Sequence, residues 1–130
     1  MDQKLELKLK QFNKALLTLK DALAQPKNKY IRDSAVKRFE YCFELFWKVL
    51  RIYFLTEKGE DYRSPKDAMR GLSVFKFLTP KQTEKALKMV DDRNLSVHTY
   101  DEFEIERLYK RIFGYYELME EIFEKLKNKI

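Results

Sequence analysis

The chain has 130 residues, of which three are glycine, three are proline and one is cysteine, and its net charge is +6. This length suits one domain, spanning residues 1–130, and the scarcity of helix-breaking residues indicates an all-helical protein. A single cysteine excludes an internal disulfide, and one cysteine with one distant histidine does not make a zinc site. We therefore expect no metal and no cofactor.

The positive charge favours an anionic partner such as RNA, a nucleotide or an acidic protein. Basic and acidic residues are mixed along the chain, so a solvated surface explains the same charge. The N-terminus has no apolar run of the signal-peptide type. The most apolar segment, residues 41–55, contains three charged residues and is too short to span a bilayer. We expect a cytoplasmic protein that does not enter a membrane.

The first predicted helix, residues 3–24, has a narrow apolar seam. Its apolar residues recur three and four apart, at Leu5, Leu9, Phe12, Leu16, Leu19 and Leu23. This spacing suits packing against another helix. Pro26 lies in the breaker that follows.

The second predicted helix, residues 31–57, is apolar around most of its circumference, which places it at the centre of a bundle or at an interface. Cys42 lies in this apolar run and is predicted to be a core residue rather than a nucleophile. The polar exceptions Glu44, Lys48 and Arg51 are four and three apart and share one face. That stripe is either a solvent-facing edge, with Glu44 paired to Lys48, or a polar wall that faces a site.

Two short helices are predicted next, each opened by a capping residue followed by proline. The first opens at residues 64–65 and ends or weakens at Gly71. The second opens at residues 79–80, where Gln82 completes a capping box, and runs to about Leu95.

The loop between the two short helices is unusually apolar at residues 74–78, so we expect it to pack against the core.

The fifth predicted helix, residues 102–128, has apolar residues three and four apart at Ile105, Leu108, Ile112, Tyr115, Met119, Ile122 and Leu126. This seam is the natural partner of the first helix. Without any strand pattern, the fold class is all-α: an antiparallel helical bundle of three long helices and two short ones.

The only histidine, His98, lies five residues after Arg93 and two before Tyr100. Arginine is a permanent, fork-shaped cation for phosphate oxygens, histidine exchanges a proton near neutral pH, and a phenol can bind phosphate or be modified. On one continuous helix, five residues turn the chain by about 500°, which separates Arg93 from His98. They converge only if the helix ends or distorts between them, or if two chains contribute. The alternative is a cationic cluster that merely covers a helix terminus.

Two carboxylates, Asp91 and Asp92, directly precede Arg93. They could be catalytic, but we expect instead that one of them orients Arg93.

At these residues the chain resembles HEPN-domain proteins of the HepT type, in which arginine, four residues, histidine, one residue and tyrosine form the motif. It also resembles the nucleotidyltransferase substrate-binding proteins of the same superfamily. The supporting stretches are residues 38–48 (RFEYCFELFWK), 64–67 (SPKD) and 92–102 (DRNLSVHTYDE). Together they extend from residue 38 to residue 102.

The resemblance implies a small helical bundle that forms a homodimer, with the motifs of both subunits lining a shared cleft. Many such proteins are metal-independent RNases. HepT-type members are toxins encoded beside a minimal nucleotidyltransferase, the MNT antitoxin, which adenylylates the motif tyrosine, here Tyr100. The candidate site comprises the catalytic residues Arg93 and His98, the substrate-binding or modified residues Tyr100 and Asn94, and a supporting polar wall of Glu44, Lys48 and Asp92.

Three functional hypotheses remain open at this point. The first is a metal-independent endoribonuclease toxin, in which His98 exchanges protons and Arg93 stabilises the charge of the transition state. The second is a non-catalytic substrate-binding subunit of a nucleotidyltransferase complex. The third is a helical homodimer with an unrelated role.

Overall fold

The computed structural model of the protein describes residues 2–98 and 101–129, and within them the chain forms five α-helices. Their bounds are α1 Gln3–Ala24, α2 Lys29–Lys58, α3 Pro65–Val74, α4 Pro80–Ser96 and α5 Glu102–Lys129. The prediction of an all-α bundle with three long and two short helices is confirmed. In the described residues, no helix combines the length and the apolarity needed to cross a membrane.

The helix ends follow local capping chemistry. The side chain of Asn28 accepts a hydrogen bond of 2.9 Å from the backbone N–H of Ile31, so α2 begins two residues earlier than predicted. Gly59, at φ 70°, closes the same helix in the left-handed conformation. Thr79 and Gln82 form the predicted capping box at the start of α4.

Of the two predicted effects of Gly71, ending the helix is wrong, because α3 continues to Val74. The glycine instead allows a close approach, since a Cβ at this position would lie 2.4 Å from the ring atom Cε2 of Tyr62. The apolar loop that follows packs as predicted through Phe77 and Leu78, whereas Val74 is exposed.

All five helices contribute to one cluster of buried side chains. α1 packs mainly against α2 and also against α5. Phe12 of α1 shows both contacts, because its ring stacks on Phe46 of α2 at 5.4 Å and meets Phe123 of α5 edge-on at 5.9 Å. Cys42 is fully buried in this core, and burial raises the pKa of its thiol to about 12. A thiol in that environment stays protonated and is not a nucleophile.

Candidate functional site

The end of α4 separates the two predicted catalytic residues. Arg93 lies in the last turn of the helix, which ends at Ser96, and His98 lies in the turn beyond it. The backbone N–H of His98 donates a hydrogen bond to the carbonyl oxygen of Leu95 at 3.1 Å. The helix therefore ends between Arg93 and His98, which is one of the conditions under which the two side chains can converge.

The guanidinium of Arg93 is held against α2. Its Nη2 donates a hydrogen bond of 2.9 Å to Oε2 of Glu44, and its central carbon lies 6.0 Å from the ring centroid of Phe43. Nη1 reaches Oδ1 of the neighbouring Asn94 at 3.5 Å, and the buried Nε has no partner among the described residues. Glu44 orients the guanidinium of Arg93, and 28% of the arginine side chain is exposed, so solvent can still reach it.

Glu44 lies between two cations. Its second oxygen, Oε1, is 3.9 Å from Nζ of Lys48, one turn along α2. The pairing of Glu44 with Lys48 is thus present, and the same carboxylate also faces Arg93 of the motif. The polar stripe of α2 is therefore exposed at Lys48 and Arg51, while its carboxylate contacts the motif arginine. Whether the stripe acts as a wall of a site stays a prediction.

Asp92, the buried neighbour of Arg93, faces another helix. Its two carboxylate oxygens accept hydrogen bonds of 2.7 and 3.0 Å from Nε and Nη2 of Arg111, and one of them also accepts the hydroxyl of Tyr115 at 2.5 Å. The bond to Asp92 raises the pKa of Arg111, while burial and then the bond to Asp92 raise the pKa of the Tyr115 hydroxyl. This cluster joins α4 to α5 one residue before the motif arginine.

The expectation that Asp91 or Asp92 orients Arg93 is wrong. Asp92 is occupied by Arg111, and Asp91 pairs with Lys66 at 2.8 Å. Successive residues of a helix point about 100° apart, so Asp92 and Arg93 face different neighbours. The side chain of Arg93 points toward α2, where it pairs with Glu44.

Arg32 is a buried cation near the start of α2 that no sequence pattern pointed out. From the start of α2 it donates hydrogen bonds to Glu102 at 2.7 Å and to Glu106 at 3.1 Å, both at the start of α5. The bond to Glu102 is the main cause of the raised pKa of Arg32. Glu102 and Glu106 are four residues apart and share one face of α5. Two carboxylates on one face are the sequence feature that could have predicted a buried cationic partner.

His98 is exposed, and the hydrogen bonds of the Arg93 guanidinium to described residues go to Asn94 and Glu44 rather than to the imidazole. Tyr100 lies outside the described residues. The convergence of the three motif side chains therefore stays a prediction. Among the described residues, no three His, Cys, Asp or Glu side chains are placed to hold a metal ion.

Comparison with known proteins adds a family and two similar structures. The family model described as "Nucleotidyltransferase substrate binding protein like" matches residues 7–128. A crystal structure of a protein from Thermus thermophilus is similar at a TM-score of 0.84 and 39% identity, covering 88% of this chain and 98% of that one. No curated protein sequence matches the chain significantly.

A second similar structure is the tri-AMPylated HEPN toxin of Shewanella oneidensis in complex with an MNT antitoxin. It superimposes at a TM-score of 0.79 and 17% identity, over 98% of this chain and 99% of that chain. At this identity the likeness is one of fold.

Proposed function

This chain belongs to the nucleotidyltransferase substrate binding protein-like family, and we propose that it is a HepT-like toxin, a metal-independent RNA endonuclease controlled by a minimal nucleotidyltransferase. The observation that carries the proposal is the position of the motif. Arg93 is oriented by Glu44 at the end of α4, and His98 follows on the exposed turn. The similarity in fold to a HEPN toxin that was captured with an MNT antitoxin supports the partner.

The proposed reaction needs a base, an acid and a charge stabiliser. A base removes the proton of the ribose 2′-hydroxyl, the 2′-oxygen forms a bond to phosphorus, and the bond from phosphorus to the 5′-oxygen breaks as an acid protonates the leaving oxygen. An imidazole suits both proton transfers. The guanidinium of Arg93 stabilises the negative charge that develops on the phosphoryl oxygens.

A homodimer would complete this chemistry. One chain has a single histidine, whereas the reaction uses a base on one side of the phosphorus and an acid on the other. A two-fold axis beside the turn at residues 97–98 would supply a second imidazole and a second guanidinium.

Cleavage of cellular RNA in the presence of EDTA tests the enzyme directly. His98→Ala should abolish cleavage, and Arg93→Lys should weaken it, because lysine keeps the charge but loses the fork-shaped donor set. Arg107→Lys, an exposed substitution on α5, is the matched control and should retain activity. Cleavage that survives in His98→Ala would contradict the role of the imidazole.

The second candidate is a non-catalytic subunit that presents a substrate to the nucleotidyltransferase, and the description of the family favours it. A purified chain that leaves RNA intact, yet forms a stable complex with a minimal nucleotidyltransferase, would support this role. Intact mass after co-expression with that enzyme tests both versions. A gain of AMP that is lost in Tyr100→Phe identifies the modified residue, where added bulk and negative charge would repel RNA.

A further inference from the structure

A groove of about 530 Å³ lies between the start of α1 and the second half of α2. Four cationic side chains line it, Lys4 and Lys8 from α1 and Lys48 and Arg51 from α2, with one carboxylate, Asp61. Ile52 and Leu55 also line it, and the side chain of Leu55 is half exposed. The groove therefore combines a cationic rim with apolar contact surface.

The two cations on α1 are available to an anionic ligand. Asp61 is shared between Arg51 at 3.3 Å and Arg63 at 2.8 Å, and Lys48 is 3.9 Å from Glu44. Neither Lys4 nor Lys8 forms an ion pair with another residue in the described ranges. Placed one helical turn apart, these two ammonium groups face the same side of α1.

The groove borders the candidate site at Lys48. Lys48 lines the groove and also lies beside Glu44, whose other oxygen accepts the hydrogen bond from Arg93. Leu55 lies seven residues beyond Lys48, which is about 10 Å along the helix axis. The cationic side chains of the groove thus begin beside the Glu44 carboxylate that holds the motif arginine, and they extend to the start of α1.

We propose that this groove, defined by Lys4, Lys8, Lys48 and Arg51, binds the backbone phosphates of single-stranded RNA on its way to or from the motif. Flexible lysine side chains contact phosphates without regard to base identity. The aliphatic side chains of Ile52 and Leu55 offer apolar contact surface to unpaired bases. The inference rests on the proposed ribonuclease function for its substrate class.

The test is the binding of a fluorescein-labelled single-stranded oligoribonucleotide of mixed sequence, measured by anisotropy over a series of salt concentrations. All proteins carry His98→Ala so that the RNA stays intact. Adding Lys4→Gln and Lys8→Gln should weaken binding about tenfold and reduce the slope of log K against log salt by about 1.4, the value for two lost contacts to a single strand.

The matched control is the double substitution Lys10→Gln and Lys14→Gln. These exposed lysines have the same spacing on α1 but point about 120° away around the helix. The control should leave affinity and slope nearly unchanged. Equal losses in both double variants would overturn the groove, because they would show a dependence on net charge alone.

RNA cleavage by proteins that keep His98 separates the proposed groove from the proposed ribonuclease function. If those chains cleave RNA and the Lys4/Lys8 substitutions leave binding unchanged, the groove is wrong and the function stands. If the Lys4/Lys8 substitutions weaken binding but no chain cleaves RNA, the groove stands and the ribonuclease function fails. If the substitutions weaken only a complex with the nucleotidyltransferase, the groove binds protein, and our proposal is overturned.

Discussion

Nη2 of Arg93 donates a 2.9 Å hydrogen bond to Oε2 of Glu44, which lies 49 residues earlier in the chain. This contact joins the last turn of α4 to the middle of α2, and the ring of Phe43 lies beside the same guanidinium. The arginine of the motif is thus positioned by α2, the helix that also lines the basic groove.

Glu44→Gln should lower the catalytic rate without changing the fold. The amide still accepts a hydrogen bond, but a neutral acceptor holds a guanidinium less strongly than a carboxylate does, by about 1 kcal/mol. That difference corresponds to a roughly five-fold fall in kcat. Single-turnover RNA cleavage measures it.

Glu57→Gln is the control for this change, because it removes the same charge from an exposed position near the end of α2. It should leave the rate of cleavage unchanged. A Glu44→Gln protein as fast as this control would show that Glu44 does not orient the catalytic arginine.

Asp92→Ala should destabilise the protein strongly. Only 8% of the Asp92 side chain is exposed, and its loss leaves Arg111 and the buried hydroxyl of Tyr115 without their shared acceptor. Removing one partner of a buried pair costs about 3 kcal/mol or more. Urea unfolding measures the change in the free energy of unfolding.

The neighbouring residue provides the comparison for Asp92. Asp91 forms an exposed ion pair with Lys66 at 2.8 Å, so Asp91→Ala should cost less than about 1 kcal/mol. Similar losses in the two variants would contradict the assignment of Asp92 as the link between α4 and α5.

The helices are predictable because their signals are local. The apolar seams and the cap at Thr79 appear within a few residues of the elements that they define, and α1 has the predicted bounds, 3–24. The errors arise where a local signal has two meanings. Asn28 lies two residues after Pro26 and resembles a loop residue, although it caps α2. Gly71 resembles a helix breaker, although it allows the ring of Tyr62 to approach α3 closely.

The partners of the site residues are not predictable in the same way. The sequence places Asp91 and Asp92 beside Arg93, whereas the folded chain pairs Arg93 with Glu44 and Asp92 with Arg111. Which carboxylate meets which guanidinium depends on how α4 rotates against α2 and α5. That rotation is set by packing of the whole core, and no local pattern encodes it.

Arg32 should make stability depend on pH in the acid range. Its hydrogen bond holds the pKa of Glu102 below the ordinary value of 4.5, and the hydrogen bonds from Lys27 and then from Arg32 lower the pKa of Glu106. A carboxylate with a depressed folded-state pKa stabilises the protein above its unfolded-state pKa, and this stabilisation is lost as the pH falls through the folded-state pKa. The contribution is therefore complete at neutral pH and fades below about pH 4.5.

Urea unfolding of the wild type and Arg32→Gln across this pH range tests the prediction. The difference between their free energies of unfolding should be largest near pH 7 and should shrink below about pH 4.5. Lys29→Gln, which removes only a 3.9 Å surface contact to Glu102, should show a small difference at every pH. A difference for Arg32→Gln that does not change with pH would place its effect in packing rather than in these carboxylates.

Alanine at two glycines should have effects of opposite sign. At Gly71 the new Cβ would lie 2.4 Å from the ring of Tyr62, which packs edge-on against Phe54, so the ring would have to move. Such overpacking costs about 1–3 kcal/mol. At Gly114 the Cβ meets the mobile end of Lys85, at 2.8 Å from Nζ, and alanine should stabilise α5 by about 0.5–1 kcal/mol.

Thermal unfolding of Gly71→Ala and Gly114→Ala measures both effects. Adding Tyr62→Ala to Gly71→Ala should remove most of the penalty that alanine at position 71 imposes, because the clashing ring is then absent. If Gly71→Ala remained equally destabilising without the tyrosine ring, the glycine would be required for the backbone of α3 rather than for the close approach of Tyr62.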